Sequence, residues 1–343
     1  MRSLSGDDAF FYKIDQTGRL CGLCVLHVDD FLFGCSPEFF KTVQAKLLGR
    51  FTFGKVEWSK FKYTGLNIRQ TSDGIFVDQN DYVQSIQPIG IDKLASKEEM
   101  LSKSKFAEYR ALTGQLAWAA ENTRPDIAYD ARELSTKNKN ATHEDLAYAN
   151  KVLKKAKHEK DVTLKFSKLG KLEDMKIVVY TDSSYRNAEH KVKSVGGRLI
   201  ALANDKGECS PLVWKNKTIQ QVCKSVKTAE TRSLERGLED GIFLARMVSE
   251  IYSGKVCEDQ IRVEAKIDSK TLLDSINSSK QVDEKTIRHL IAWIKQQKDE
   301  EKNIHTIDWV SSEKQLADVF TKKNAKTDSI LLVISEGNLM LHE

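Results

Sequence analysis

The chain has 343 residues, of which 40% are hydrophobic and 30% charged, and it carries a formal net charge of +5. This length allows two or three domains that each bury a core, and the composition is that of an ordinary globular protein. The mild basicity is compatible with a polyanionic partner but does not require one. No apolar run reaches the roughly 18 to 20 residues that span a bilayer, and the N-terminus has no signal-peptide core. We therefore expect an intracellular protein, cytoplasmic or nuclear, with no membrane partner.

The six cysteines include a single C-x-x-C pair, Cys21 and Cys24. No second pair and no histidine cluster follow at the spacing of a zinc site. On a strand, these two side chains would point to opposite faces. The pattern favours reduced thiols over a zinc or redox site.

Strand and helix patterns alternate in residues 1–92. The predicted elements are two strands around a turn at residues 16–18 with the second at Leu20–His27, a helix at Pro37–Leu48, and a hairpin of strands Phe61–Ile68 and Gly74–Val77. The helix is indicated by its apolar spacing and the hairpin by a Thr-Ser-Asp-Gly turn. The strand Leu20–His27 is apolar and is followed closely by Asp29 and Asp30.

Residues 93–172 are helical by pattern. Helices are predicted at Phe106–Asn122, Asp126–Leu134 and His143–Lys157. The first should stop before Pro125, which disfavours helix in its predecessor. The last ends in a lysine-rich stretch that includes Lys154 and Lys155. Such a stretch is usually a solvated helix face, and the alternative is a surface that contacts phosphates.

After Lys176 the strands come first and then alternate with helices. Strands are predicted at Ile177–Thr181, Gly197–Ala203, Leu212–Thr218, Ile261–Ile267 and Ile304–Val310, and helices at Thr228–Ser249, Ser269–Ser278, Asp283–Lys298 and from Lys314. Three antiparallel strands followed by alternating helix and strand predict an α/β domain with a mixed sheet flanked by helices. Residues 324–343 show no clear core pattern.

Four carboxylates occupy ends of these predicted elements. Asp182 and Asp268 each follow an apolar strand, Glu230 lies in the first turn of the long helix, and Asp318 opens the last short helix. Small residues along that long helix should let it pack close to the sheet and carry Glu230 toward the strand ends. We expect all four side chains to meet on the same side of the sheet.

Converging carboxylates repel one another unless a cation lies between them. Oxygen ligands suit Mg²⁺ or Mn²⁺, and two such ions can activate water and stabilise the leaving oxygen of a phosphodiester. The alternative is that the four acids are separate N-caps or surface groups. Their joint placement at strand ends and helix starts favours a two-ion metal site.

The motifs around these acids resemble ribonuclease H domains of copia-type retrotransposon polyproteins. The resembling segments are Tyr180–Tyr185, Lys193–Gly197 for R-S-T-S-G, Trp214–Lys217 for W-x-S-K, Ser225–Glu230 for S-S-T-E-A-E, Ile267–Ser269 for C-D-N and Gln315–Lys322 for Q-L-A-D-I-L-T-K. The resemblance implies a ribonuclease H-like fold and magnesium-dependent cleavage of RNA in RNA/DNA hybrids. Asp182, Glu230, Asp268 and Asp318 would be both the catalytic residues and the metal ligands. Nucleic-acid contacts are expected from Lys193, Ser194, Lys215, Lys217, Lys154 and Lys155.

The first half of the chain resembles reverse transcriptases of the same elements. The resembling segments are His27–Asp30 for Y-V-D-D, Phe61–Ile68 for K-Y-F-L-G-I-E-I, Gly74–Gln79, Tyr109–Leu116 and Asn122–Ala128 for N-T-R-P-D-I-A. The implied organisation is a partial palm at 1–92, a helical thumb or connection at 93–172, the ribonuclease H domain at 173–323 and a tail at 324–343. Asp29 and Asp30 would be a polymerase remnant. Since a third aspartate and the fingers would lie earlier, we expect no DNA synthesis from this chain alone, and the absent portion is a candidate partner.

Departures from the family pattern leave a second hypothesis open. Thr286 stands where the family has a histidine, Ser269 where it has asparagine, and Thr228 where it has the first glutamate. A slowed nuclease, or a catalytically decayed or domesticated remnant that only binds nucleic acid or protein, would explain these changes. An integrase or another nuclease on the same fold would not explain the N-terminal motifs.

Overall fold

The computed structural model describes the chain except for residues 53, 93, 189–191, 256–260, 281, 283 and 341–343, and it leaves out the side chains of residues 187 and 188. Within this part of the chain, the strands form three sheets, of four, five and four strands. No helix among the described residues combines the length and apolar character needed to cross a membrane.

The first sheet is antiparallel, with its strands in chain order. Its strands are β1 (Arg2–Leu4), β2 (Asp7–Ile14), β3 (Leu20–His27) and β4 (Asp30–Cys35). Helix α1 (Pro37–Leu48) follows, begins at the N-cap Ser36 and has the predicted bounds. The ring of Phe39 lies 2.3 Å from where a Cβ at Gly22 would be, so this helix packs directly on β3 at a residue without a side chain.

The second sheet corrects one predicted strand. Its strands are β5 (Lys60–Tyr63), β6 (Leu66–Thr71), β7 (Gly74–Asp78) and β8 (Leu164–Phe166). The predicted single strand Phe61–Ile68 is wrong, because Thr64 and Gly65 turn the chain with φ of 48° and 83°. The predicted hairpin turn before Gly74 is present.

The described residues between β7 and β8 form four α-helices. They are α2 (Asn80–Ser85), α3 (Lys103–Asn122), α4 (Ala128–Thr136) and α5 (His143–His158). The three predicted helices are confirmed, with small differences at their ends. Helix α5 begins with a capping box in which Thr142 and Asp145 exchange hydrogen bonds, which fixes its first turn.

The third sheet has the order β11-β10-β9-β12-β13. Its strands are β9 (Met175–Ala188), β10 (Lys193–Asn204), β11 (Cys209–Thr218), β12 (Arg262–Ile267) and β13 (Thr306–Trp309). The first three are antiparallel, whereas β12 runs parallel to both β9 and β13. Helices α6 (Val226–Ser253), α7 (Lys270–Asn277) and α8 (Arg288–Lys295) connect the later strands. The predicted mixed α/β sheet flanked by helices is confirmed.

Alternation along β9 divides its side chains between two cores. Ile177 and Val179 pack in a cluster with Leu234 and Leu238 of α6. Val178 and Tyr180 face the opposite way, into a cluster that includes residues of α3, α4 and α5. The helices that precede the third sheet therefore cover one of its faces, and α6 covers the other.

Two predictions for the C-terminal part are wrong. Residues 324–343 do contribute to the core, since helix α9 (Asp328–Glu336) buries Ile330, Val333 and Ile334. These three apolar residues have helical spacing, which was a usable sequence signal. The predicted helix Asp283–Lys298 is shorter, because α8 begins at Arg288 and continues as a single π-helical turn at Gln296–Glu300. Residue 283 itself lies outside the described residues.

Candidate metal centre

Asp182 lies inside β9, although the sequence predicted it at a strand end. β9 continues to Ala188, but its pairing with the parallel neighbour β12 stops at the pair Tyr180–Lys266. Asp182 therefore projects just beyond the end of β12. It is only 2% exposed, and its carbonyl oxygen accepts a hydrogen bond of 2.8 Å from Ser233 on α6.

Asp268 directly follows β12, as predicted. Its carboxylate accepts a hydrogen bond of 2.9 Å from the hydroxyl of Ser312, and its carbonyl oxygen accepts one of 3.0 Å from the indole of Trp309. Both donors come from the chain segment at and after β13. The position of Asp268 is thus set by the neighbouring parallel strand.

Asp318 lies in a short 3₁₀ helix, Leu316–Phe320. This helix reaches the sheet at Gly197, where an added Cβ would lie 2.6 Å from Thr321 and 2.8 Å from Phe320. Gly197 pairs with Asp182 across β10 and β9. A glycine at this register position therefore lets the 3₁₀ helix bring Asp318 against Asp182.

Gln315 links the two strands where their pairing ends. Its amide donates to the carbonyl oxygens of Thr181 at 3.1 Å and Lys266 at 3.4 Å, and its side-chain oxygen accepts from the backbone of Ala317 at 3.1 Å. Its side chain is buried. Gln315 is identified by the sequence only as part of a motif, and nothing in that motif indicates that it holds the Asp182 and Asp268 strands together.

Three of the four predicted acids come together. One carboxylate oxygen each from Asp182, Asp268 and Asp318 lie within 4.8 Å of one another. Three oxygen donors of full negative charge form the ligand type that hard divalent cations such as Mg²⁺ and Mn²⁺ prefer. These residues therefore fit a divalent metal ion.

Glu230 differs from the prediction in its position on the helix. Helix α6 begins at Val226 after the N-cap Ser225, so Glu230 lies in its second turn. It approaches the strand ends from α6, and burial and the charges of Asp182 and Asp268 all raise its pKa, so the expectation that all four acids meet stays a prediction. Glu230 is not part of the group of three, and its carboxylate accepts a hydrogen bond of 2.8 Å from Ser183.

The pKa values nevertheless connect Glu230 to the aspartates. Burial, and then the negative charge of Asp182, raise the pKa of Glu230 to about 8. Burial raises the pKa of Asp182 to about 7, with Asp318 adding to the rise and Lys322 opposing it. Burial also raises the pKa of Asp318. Without a cation, the folded site thus favours proton uptake by its carboxylates.

Two residues that follow Asp318 contact the carboxylates directly. The hydroxyl of Thr321 donates to Asp182 Oδ2. The ammonium of Lys322 lies 2.8 Å from Asp318 Oδ1 and 3.8 Å from Asp182 Oδ1. Sequence reasoning missed both residues as members of the site, although their position in the Thr-Lys end of the Q-L-A-D motif was a signal.

The segment with Thr286 lies at the start of α6. Glu284 accepts hydrogen bonds from the N-cap Ser225 and from Thr228, and also one of 3.2 Å from Thr286. Thr286, which stands where the family has histidine, is therefore engaged with a carboxylate that is bonded to the helix carrying Glu230.

The predicted nucleic-acid contacts divide into exposed and engaged residues. Lys154, Lys215 and Lys217 are exposed. Lys193 is half-buried and approaches Gln220 at 3.4 Å.

Of the other two predicted contacts, Ser194 is corrected by burial and Lys155 has internal partners. Ser194 is 0% exposed and its hydroxyl accepts a hydrogen bond of 3.1 Å from the Arg186 backbone, so its side chain does not reach the surface. Lys155 donates to the Asp126 carbonyl oxygen at 3.0 Å and lies 3.6 Å from Asp130, but its side chain is 40% exposed, so its contact with nucleic acid stays a prediction.

Asp29 and Asp30 lie at the exposed tip of the β3–β4 hairpin. Val28, the first residue of its two-residue turn, has a φ of 53°. Among the described residues, neither aspartate belongs to a group of three potential metal ligands. An open cavity of about 490 Å³ lies beside this hairpin, lined in part by His27, Tyr63 and Trp118.

Comparison with known proteins supports the resemblance drawn from the motifs. The chain matches no protein-family model. It is 27% identical over 235 residues to the transposon Ty5-1 protein YCL074W of Saccharomyces cerevisiae, an alignment that covers 63% of this chain and 72% of that protein.

Solved structures give partial matches. The N-terminal ribonuclease H domain of Rv2228c from Mycobacterium tuberculosis is 18% identical with a TM-score of 0.31, covering 43% of this chain and 91% of that chain. The compost-derived LC11 ribonuclease H1 in complex with an RNA/DNA hybrid is 20% identical with a TM-score of 0.32, covering 42% and 92%. The foamy viral protease-reverse transcriptase in complex with dsDNA is 15% identical with a TM-score of 0.45, covering 84% and 55%. The chain therefore has a transposon protein as a homologue. This confirms the predicted resemblance to a fragment of a retrotransposon Pol polyprotein.

Proposed function

We propose that this chain hydrolyses the RNA strand of RNA/DNA hybrids, as the ribonuclease H portion of a copia-type retrotransposon Pol polyprotein. The observation that carries the proposal is the meeting of Asp182, Asp268 and Asp318 within 4.8 Å at the end of the third sheet. The homology to a transposon protein supports it independently.

The proposed site uses the carboxylates as ligands for two ions, Mg²⁺ or Mn²⁺. When bound, such ions activate a water molecule and stabilise the departing oxygen of a phosphodiester. Asp182, Asp268 and Asp318 would hold them, and Glu230 would complete the set from the α6 side. Gln315 keeps the two aspartate-bearing strands in register, and Thr321 orients the Asp182 carboxylate through its hydroxyl.

Substrate recognition is proposed to use both strands of the hybrid. RNA is distinguished from DNA through its 2′-hydroxyl groups, and exposed lysines bind phosphates in a salt-dependent manner. Of the predicted contacts, Lys154, Lys215 and Lys217 are exposed and suit this role, and Lys193 is the partly accessible fourth. Ser194 is buried and is not proposed to contact the substrate.

DNA synthesis is not proposed for this chain alone. Asp29 and Asp30 are exposed, and among the described residues no third carboxylate joins either of them in a ligand group. Ribonuclease activity is therefore the one to test first.

The test is magnesium-dependent cleavage of an RNA/DNA hybrid labelled on its RNA strand. The wild-type chain should cut the hybrid but neither single-stranded RNA nor duplex DNA. Asp182→Asn should reduce the rate by at least about a hundredfold, since loss of a ligand costs more than loss of a supporting group. Asp73→Asn, a change at an exposed hairpin turn, should leave the rate unaltered.

A second candidate function is binding of nucleic acid without cleavage. The observation that favours it is Thr286, which stands where the family has histidine and is bonded to Glu284. A wild-type rate no higher than that of Asp182→Asn, combined with retained hybrid binding, would leave only this second function.

A further inference from the structure

Lys322 places a positive charge at the aspartate group. Its ammonium lies 2.8 Å from Asp318 Oδ1 and 3.8 Å from Asp182 Oδ1, so it contacts two of the three proposed ligands. The lysine side chain is 43% exposed. Its charged end therefore has a path to solvent as well as a binding place between the two carboxylates.

The local backbone builds this arrangement. The amides of Thr321 and Lys322 both donate to the Asp318 carbonyl oxygen, at 3.1 and 3.0 Å. Thr321 is fully buried, packs against Gly197 and donates its hydroxyl to Asp182. The main chain at Lys322 is thus anchored on both sides of the site, and the lysine stem starts from a fixed point.

We propose that Lys322 is an internal counter-ion that occupies a cation position between Asp182 and Asp318 and competes with divalent metal for it. The inference rests on the proposed metal site. A divalent ion that binds Asp182 and Asp318 together must displace the ammonium, which can swing outward along its exposed stem. The ammonium of Lys322 contacts Asp318 and Asp182, and Asp268 completes the group of three within 4.8 Å.

Charge balance gives the direction of the effect. The three aspartates contribute a formal charge of −3, and Lys322 reduces it to −2. Removing the ammonium would leave more negative charge for an incoming ion and free the carboxylate oxygens it contacts. A neutral residue at position 322 should therefore strengthen metal binding. If Lys322 served only to hold substrate phosphate, the same change should leave metal binding unaltered.

The test measures Mn²⁺ binding to the full chain without nucleic acid, by calorimetry and by the electron paramagnetic resonance signal of free Mn²⁺. Lys322→Met should lower the Kd of the weaker site by about tenfold, since one opposing charge is removed from it. Lys322→Arg, which retains the charge, should bind no more tightly than wild type. Lys323→Met is the matched control. It also removes one lysine charge, but Lys323 lies over the Tyr148 ring and not at the aspartate group.

The outcomes separate this inference from the metal site on which it rests. If wild type binds Mn²⁺, Asp182→Asn does not, and Lys322→Met matches wild type, the counter-ion role is excluded while the metal site stands. If neither wild type nor Lys322→Met binds Mn²⁺, the metal site itself is excluded. Lys322→Gln provides a second neutral variant should Lys322→Met fail to fold, as judged by circular dichroism.

Discussion

Gly237 of α6 lies so close to Thr181 of β9 that a Cβ at the glycine would come within 2.4 Å of the threonine Cγ2. One turn later, a Cβ at Gly241 would lie 2.8 Å from Val179. The helix therefore contacts the sheet at a distance that only glycine permits. This contact also places Glu230, two turns earlier, next to the strand that carries Asp182.

Gly237→Ala should destabilise the protein by about 1–3 kcal/mol, because the added methyl group overpacks the contact with Thr181. The matched change is Gly114→Ala, in the middle of α3, where no atom lies within 4 Å of the new Cβ. That change should stabilise by about 0.5–1 kcal/mol through helix propensity. Urea unfolding of both variants measures the difference, and shifts of the same sign would contradict the packing argument.

The stability of the metal-free chain should fall as the pH rises from about 5 to about 8. The folded state keeps protons on Asp182 and Glu230 up to pKa values of about 7 and about 8, whereas unfolded carboxyls lose theirs near pH 4. Between these values the folded state binds more protons than the unfolded state, so the free energy of unfolding decreases with pH.

Denaturant unfolding in chelator at several pH values measures this slope. Saturating Mg²⁺ should flatten it, since a divalent ion replaces the protons as the neutralising charge. A metal-free stability that stays constant or rises across this range would mean that the carboxylates are not coupled as the structure indicates.

Asp182→Asn should raise the free energy of unfolding of the metal-free chain at about pH 8 by about 2 kcal/mol, because it removes a buried negative charge. The same variant should lose the stabilisation that Mg²⁺ gives to wild type. Thermal unfolding with and without Mg²⁺ tests both effects in one series. Asp205→Asn, at an exposed residue paired with Arg262, should leave the response to Mg²⁺ intact.

The N-T-R-P-D-I-A motif should prove to be structural. Arg124 is 1% exposed and makes two hydrogen bonds of 2.8 Å to Asp126, and it donates at 2.6 Å to the Ala156 carbonyl oxygen. Arg124→Met would leave Asp126 charged and buried, which should cost about 3–5 kcal/mol. Arg110→Met, at an exposed position of α3, should change stability by less than about 0.5 kcal/mol. Equal effects of the two changes would contradict the internal role.

The sequence predicted the elements well where periodicity and turn chemistry agreed. Helix α1 has its predicted bounds, and the third sheet has the predicted mixture of strand directions. Three of the four acids come together because the strand ends that carry Asp182 and Asp268 are neighbours in a parallel pair. These features depend on local spacing and on simple sheet geometry, which a sequence contains.

What escaped prediction depends on register and on packing. The direction in which Asp182 points follows from the alternation of β9, and one residue of shift would reverse it. The burial of Ser194 and the contacts of Lys155 with Asp126 and Asp130 depend on how the elements pack together. Lys322 joins the site because a 3₁₀ helix passes over Gly197, and no local pattern specifies that contact.

The cluster that joins Leu116 of α3, Tyr180 of β9 and Val333 of α9 has a practical consequence. A shortened chain beginning at residue 173 would lose α3, α4 and α5 from this cluster and expose part of one face of its central sheet to water, and such contiguous apolar surface promotes aggregation. The helical segment and the third sheet should therefore melt as a single cooperative unit, and the proposed nuclease activity should be recovered only from polypeptides that include both.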